Sequence, residues 1–321
     1  MIKERQIPIN IRRMQALLRR LPTNHLKRQR ISEDLAAKQK GYRGELSLDY
    51  YLKDIDRKFF TLLPAIRLLN QNKDAFQMDL LLVSSSFLLI IEVKNISGTL
   101  YFDKASNQVI RQLHNKEQGF KNPITQVNRQ RDQLARWLYI NRFPAIPIRC
   151  LVVFSQPSTI LKTSPDYKEV FHTVIHADRL MEKIHLFKGY YKTNILEMKE
   201  FKKLVKSILK EDKELQQDIL NLYEIDKNEI IKGVECTFCG SFQTKREYGK
   251  WTCIDCGKSN KEGHIDALDD YFLLIGNTIT NREWSKFLKI ESRHVATYLL
   301  QNTNLQSSGT KKGTIYHSPY A

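Results

Sequence analysis

Two short aliphatic runs stand out along the chain. Leu80-Leu81-Leu82-Val83 follows the polar lead-in Gln77-Met78-Asp79, and Phe87-Leu88-Leu89-Ile90-Ile91 leads directly into Glu92-Val93-Lys94. Ser84-Ser85-Ser86 separates them. Runs of this length, split by small polar residues, read as two buried strands joined by a tight turn, over 77–83 and 87–94. Side chains alternate across a strand, so Glu92 and Lys94 share a face while Val93 points into the core. Two carboxylates and a lysine beside so much apolar surface are expensive unless they bind something.

The same pattern reading extends in both directions. Residues 1–31 carry Ile11, Met14, Leu17, Leu18 and Leu21 at helical spacing and predict one basic amphipathic helix ending near Pro22. Ser32, followed by Glu33 and Asp34, predicts the start of a second helix running to about Leu52, with a break near Gly41–Gly44. Phe59 to Leu69 predicts a strand, and Pro64 inside it an edge or a bulge. Further strands are expected at 98–102, 108–113, 148–154 and 172–176, with a loop at 155–166. A helix after Asn122-Pro123 would present Ile124, Val127, Leu134 and Leu138 on one face. Segments 178–187 and 198–222 read as helices. Strand-helix-strand order after a hairpin implies an α/β or α+β domain, a mixed sheet flanked by helices, over about 32–190.

Composition narrows the partners. The chain has 321 residues, enough for two or three domains, and 41% apolar with 27% charged residues describes a globular protein. The longest apolar stretch, Leu80 to Ile91, is too short for a membrane span of about 20 residues. No apolar run follows the charged N-terminus, so a cytoplasmic location without membrane contact is expected. The formal net charge is +17, and residues 1–30 hold nine Lys and Arg against the single acid Glu4. That excess points to a polyanionic partner, most simply nucleic acid.

From Cys236 the chain changes character. Cys236-x-x-Cys239-Gly240 and Cys253-x-x-Cys256-Gly257 are separated by thirteen residues. Four thiolates in two such knuckles select tetrahedral Zn2+ in a closed, structural site, a zinc ribbon. The fifth cysteine, Cys150, reads as a structural thiol. The tail continues with a helix at 266–276, a Thr280-capped helix, a turn at 289–291 and a helix from Arg293 to Gln301. A basic hairpin around Gly309–Gly313 closes it. This order resembles a helix-turn-helix with a wing. Its second helix would offer Arg293, His294 and Thr297 to DNA, and its wing Lys311 and Lys312. The expected boundaries are therefore 1–31, 32–190, a helical linker at 191–233, the ribbon at 234–260, and the winged-helix-like tail at 261–321.

The chemistry follows from the acidic residues. Asp79 and Glu92, with the Val93 main-chain carbonyl, would hold one or two Mg2+ or Mn2+ ions, hard cations that favour oxygen ligands. Lys94 would orient a water or neutralise developing charge. Upstream, Gly41-Tyr42-Arg43-Gly44-Glu45 puts a carboxylate on a helix. Downstream, Gln126 and Gln130 lie at i and i+4 on one helix face, placed for phosphate or base contacts.

Gly-Glu on a first helix, Gln-Met-Asp then Glu-Val-Lys-Asn across a hairpin, Gly98, and Asn-Pro-x-x-Gln together resemble the NERD (nuclease-related) domain. That domain belongs to the restriction-endonuclease-like, PD-(D/E)xK superfamily. The resemblance covers about residues 40–140. It implies a mixed sheet flanked by helices and metal-dependent cleavage of nucleic acid. It carries the active-site roles to Glu45, Asp79, Glu92 and Lys94, with Gln126 as an accessory. One departure is Ile110-Arg111-Gln112, where the family would carry a tryptophan. Two functions follow: a Mg2+/Mn2+-dependent deoxyribonuclease, which admits a homodimer, or a nucleic-acid-binding adaptor that keeps the fold without cutting.

Overall fold

A computed structural model describes residues 3–320, with the side chain of Lys312 outside that description. The helices and strands, in chain order, are α1 (Ile9–Arg20), α2 (Arg28–Tyr51), β1 (Thr61–Leu69), β2 (Ala75–Val83), β3 (Leu88–Lys94), β4 (Thr99–Asp103), β5 (Gln108–Leu113), β6 (Lys116–Lys121), α3 (Pro123–Ile140), β7 (Ile148–Phe154), β8 (Ile160–Thr163) and β9 (Val174–His176). They continue as α4 (Leu180–Tyr190), α5 (Met198–Glu211), α6 (Ile219–Leu222), β10 (Thr244–Glu247), β11 (Lys250–Cys253), β12 (Ser259–Asn260), α7 (Gly263–Leu274), β13 (Thr278–Thr280), α8 (Asn281–Leu288), α9 (Arg293–Gln301), β14 (Ser307–Ser308) and β15 (Ile315–His317). The chain forms two compact units, Met1–Ile7 with Lys38–Leu215, and Pro8–Ala37 with Gln216–Ala321.

The first unit is built on a five-stranded sheet ordered β1-β2-β3-β7-β9. β1, β2 and β3 are antiparallel, whereas β3, β7 and β9 are parallel, so the sheet is mixed, as expected. A parallel return needs a crossover, and the one from β3 to β7 contains β4, β5, β6 and then α3; β8, which follows β7, completes a second sheet ordered β6-β5-β4-β8. Both faces of the main sheet are covered. Ile90, Val152 and Phe154 pack with Val127 and Leu134 of α3 and with Leu204 and Ile208 of α5. Leu89, Ile91, Val93 and Val153 pack with Leu48 of α2, with Leu52 just beyond its end, and with Leu180 and Ile184 of α4. Double coverage explains why β3 reads as a continuous apolar run.

The face alternation breaks at one place. On β2, Phe76 and Met78 belong to the α3 face, but so do Leu81 and Val83; on β1, Leu63 shares that face with Ile66 and Leu68. The parity changes at Ala65 and Asp79, which the β1–β2 pairing skips. Ala65 has φ +49°, a left-handed conformation that costs a residue with a Cβ about 1–2 kcal/mol. The bulge suggested by Pro64 is thus a kink at the next residue, and it lies opposite Asp79.

In the second unit, the ribbon strands β10-β11-β12 and the tail sheet β13-β15-β14 share one apolar core. Trp251 of the ribbon is buried with Leu268, Tyr271, Trp284 and Leu299. α7, β13, α8, α9 and the β14–β15 hairpin follow one another, and Thr280 caps α8 in a reciprocal capping box with Glu283. No described helix is long and apolar enough to cross a membrane.

Several expected elements need correction. α2 starts at Arg28 rather than Ser32, and it runs unbroken through Gly41 and Gly44, with Ile31, Leu35 and Leu48 buried along it. The helix expected over 198–222 is two. Asp212 ends α5, its Oδ1 accepting the Arg67 N–H at 2.9 Å, and α6 resumes at Ile219. α5 belongs to the core of the first unit rather than to a linker. β6 and β8 lack a strong apolar alternation, and both escaped the pattern reading.

Candidate active site

The hydrogen-bonded β2–β3 ladder ends at Leu80 and Ile91, one residue short of Asp79 and Glu92. There a side chain replaces the ladder: Asp79 Oδ2 accepts the Val93 N–H at 2.8 Å. Both peptide groups of a strand residue face the same neighbouring strand. Lys94 turns its pair toward β7, where its carbonyl accepts the Ser155 N–H at 3.0 Å. By alternation, Val93 turns its carbonyl toward the Asp79 side.

Glu92 is buried, 3% exposed, on the face that meets α3. Its Oε1 accepts Lys94 Nζ and Gln126 Nε2, each at 2.6 Å, and its Oε2 accepts Gln130 Nε2 at 2.8 Å. Gln126 Oε1 in turn accepts Lys94 Nζ at 2.9 Å. Asn122 makes this possible from below. It is the N-cap of α3, its side chain accepting the Ile124 N–H at 2.9 Å, with Pro123 at the first helical position. The Asn-Pro pair therefore sets where the helix begins, and the i and i+4 glutamines then meet Glu92. Gln130 Oε1 is buried and has no hydrogen-bond partner among the described residues.

Glu45 arrives from the opposite face on α2. A Cβ on Gly44 would lie 2.6 Å from Asn95 Cβ and 3.0 Å from Ser155 Oγ, so the helix sits directly on the end of β3 and only glycine fits. Asn95 Nδ2 fastens the contact by donating to the Lys40 carbonyl at 2.8 Å. Gly41 meets nothing within 4 Å. Glu45 Oε2 pairs with Arg5 Nη1 at 3.0 Å.

The carboxylates feel one another. Burial pushes the Glu45 carboxyl up to about 7; Arg5 opposes the rise, while Glu92 and Asp49 add to it. Asp79 is held well above the usual carboxylate range by burial first, then by Glu92 and Glu45, against the Val93 N–H and Lys94. Carboxyl groups crowded beside a main-chain carbonyl are the oxygen donor types that a hard divalent cation takes. Asp79, Glu92 and the Val93 carbonyl are the oxygen donors that the open end of the hairpin offers.

A second metal-holding group is explicit. The sulfurs of Cys236, Cys239, Cys253 and Cys256 all lie within 4.8 Å of one another. Cys236–Cys256 and Cys239–Cys253 are each 3.6 Å apart. Sulfurs at tetrahedral corners ~2.3 Å from zinc would lie about 3.8 Å apart. The two knuckles match: Gly240 N–H donates to the Cys236 carbonyl and Gly257 N–H to that of Cys253, and both glycines have φ above +70°. The arrangement is consistent with structural zinc. Cys150 is half-buried with its thiol pushed up to about 12 by burial, and is therefore not a reactive thiolate.

Arg293 and His294 are exposed on α9, but Thr297 is not free to read a partner: its hydroxyl accepts from Asn281 Nδ2 at 2.6 Å and donates to the Arg293 carbonyl at 2.9 Å. Tyr298, 62% exposed, is the outward residue one position on, which the helical spacing from His294 could have indicated. Lys311 is exposed, and Lys312 lies outside the described side chains. The basic N-terminal segment is largely committed within its own unit. Arg12 pairs with Asp269, Arg19 and buried Arg20 pair with Asp270, Lys27 with Glu224, and Arg28 donates to the Leu18 and Leu21 carbonyls. Arg5 is the site residue that pattern reading missed; only the charge excess signalled it.

No solved structure matches this chain. An uncharacterized protein of Bacillus anthracis is 22% identical over 177 residues, covering 46% of this chain and 83% of the relative. Residues 40–155, which carry Glu45, Asp79, Glu92, Lys94, Gln126 and Gln130, match the family model of the nuclease-related domain, NERD.

Proposed function

We propose that the first unit is a metal-dependent nuclease that hydrolyses phosphodiester bonds in DNA. The observation that carries this reading is the junction of Asp79, Glu92 and Lys94 where β2 and β3 part, with Gln126 and Gln130 closing on Glu92. Asp79, Glu92 and the Val93 carbonyl would hold Mg2+ or Mn2+. When bound, such an ion supplies charge for the phosphoryl oxygens and lowers the pKa of water. Lys94, a compact cation already on Glu92, can orient the attacking water or meet charge developing on phosphorus. Gln126 sets the Lys94 ammonium, Gln130 fixes the Glu92 carboxylate, and Glu45 adds a carboxylate from α2. In the second unit, the order α7-β13-α8-α9-β14-β15 supports a winged-helix reading, with Arg293, His294 and Lys311 turned toward a duplex, the zinc ribbon beside them, and affinity that falls with salt.

One observation favours the adaptor reading. Both oxygens of Glu92 are already engaged by protein donors, so an ion would have to use the remaining lone pair of Oε2 or displace Lys94 or Gln126 from Oε1. Cleavage of supercoiled plasmid and single-stranded DNA with Mg2+, Mn2+ or EDTA separates the two. Metal-dependent cutting that falls on the order of 10²-fold or more in Glu92→Ala is expected. DNA binding without cutting in either metal would leave the adaptor.

A further inference from the structure

Residues 3–7 are not helical, and they belong to the first unit although α1, which follows, belongs to the second. A short non-helical segment of this kind is ordinarily loosely held. Here it is pinned twice. Lys3 Nζ donates to the Ala65 carbonyl at 2.9 Å and pairs with Asp212 Oδ2 at 2.6 Å. Arg5 pairs with Glu45 at 3.0 Å and with Asp49 at 3.4 Å. The Arg5 side chain is only 6% exposed, unusual for an arginine with a half-exposed partner such as Asp49.

Both anchor points are peculiarities of the candidate site. Ala65 is the left-handed residue opposite Asp79, and the kink takes its carbonyl out of the β1–β2 ladder. An unpaired carbonyl at a sheet break costs free energy until something donates to it, and Lys3 does so. Glu45 is the one acidic residue of the site that comes from a helix rather than from the hairpin. A long carboxylate side chain on a helix has several rotamers; a guanidinium fork bridging it to Asp49, one turn further, selects among them.

We propose that residues 3–7 form a strap that completes the active site, with Arg5 the positioning residue that holds the Glu45 carboxylate in place and Lys3 the residue that secures the kink beside Asp79. This rests on the nuclease reading above. Charge counting supports it. With half-exposed Asp49 left to solvent screening, the ionised Glu45, Asp79 and Glu92 together with Arg5 and Lys94 carry one net negative charge. One divalent cation and one phosphodiester would bring that to zero. Removing Arg5 would leave the metal-loaded site without the net positive charge that attracts the phosphodiester, besides freeing Glu45.

The test uses the full chain with Arg5→Ala, Arg5→Lys and wild type, each measured for thermal stability, for Mn2+-induced thermal shift, and for kcat and KM of plasmid cleavage. We expect Arg5→Ala to cut at least tenfold more slowly in kcat/KM, and Arg5→Lys to recover a substantial part. The recovery should come at unchanged melting temperature, which a purely structural role would not produce. Wild-type cleavage with Arg5→Ala equally active overturns the strap alone. Faster cutting by Arg5→Ala also overturns it, since the segment would then be a plug. A wild-type chain that neither binds Mn2+ nor cuts overturns the nuclease reading, and the strap with it.

Discussion

Glu45 shows at the residue scale how a site can be held short of its working charge. Its carboxyl titrates near 7 because burial and the neighbouring Glu92 outweigh Arg5. A group whose folded-state pKa lies above its unfolded one contributes stability that is fully present below the unfolded pKa, about 4.3, and lost as pH rises through the folded pKa. The chain without divalent ions should therefore lose this contribution between about pH 4.5 and pH 7.5. Asp79, raised in the same sense, adds to the loss. A bound cation favours the ionised forms, so the stabilisation by Mg2+ or Mn2+ should grow with pH over the same window. Thermal melts at pH 5.5 and pH 8, with and without Mn2+, measure both trends, and Glu45→Gln should flatten the metal-free one. A melting temperature equally raised by Mn2+ at both pH values would put the ion elsewhere.

At the scale of elements, α2 and α3 press the two faces of β3 from opposite sides and bring their polar residues to the same strand end. For α2 the approach depends on Gly44, whose place a Cβ would contest with Asn95 at 2.6 Å. Gly41, three residues earlier on the same helix, touches nothing. The two glycines should respond oppositely to the same change. Gly41→Ala should stabilise by about 0.5–1 kcal/mol, since alanine is the better helix former. Gly44→Ala should destabilise by about 1–3 kcal/mol, because it overpacks a closed contact, and should slow cleavage by lifting Glu45. Urea unfolding of the two variants beside wild type measures the contrast. Equal effects would mean that α2 approaches β3 less closely than the Gly44–Asn95 contact requires.

On the scale of the whole molecule, the most legible parts were those where pattern and chemistry coincide. The hairpin at 77–94, the Asn122-Pro123 helix start and the two cysteine knuckles were all readable, because each rests on residues adjacent in sequence. What escaped depends on contacts between distant positions. Arg5 on Glu45 spans forty residues, the Ala65–Asp79 parity change appears only once the strands are paired, and β6 is exposed at all but one position, leaving no apolar alternation to find. The boundary between ribbon and tail was likewise invisible as a merger: Trp251 lies between cysteines in sequence but is buried against α7 and α8 residues. That shared core sets the consequence of losing the metal. A ribbon of three short strands has too little apolar surface to hold itself. If zinc fastens it, removal should loosen Trp251, and with it the packing of α8 and α9, while the main sheet of the other unit keeps its own two cores. Hydrogen exchange on the full chain, before and after chelation or in Cys253→Ser, should therefore show protection falling in β11, α8 and α9 and persisting in β2, β3 and β7. Metal analysis should find one zinc per chain before treatment. Uniform loss of protection through β3 would mean that the two units unfold as one, and unchanged protection in α8 would mean that the tail core stands without the ribbon.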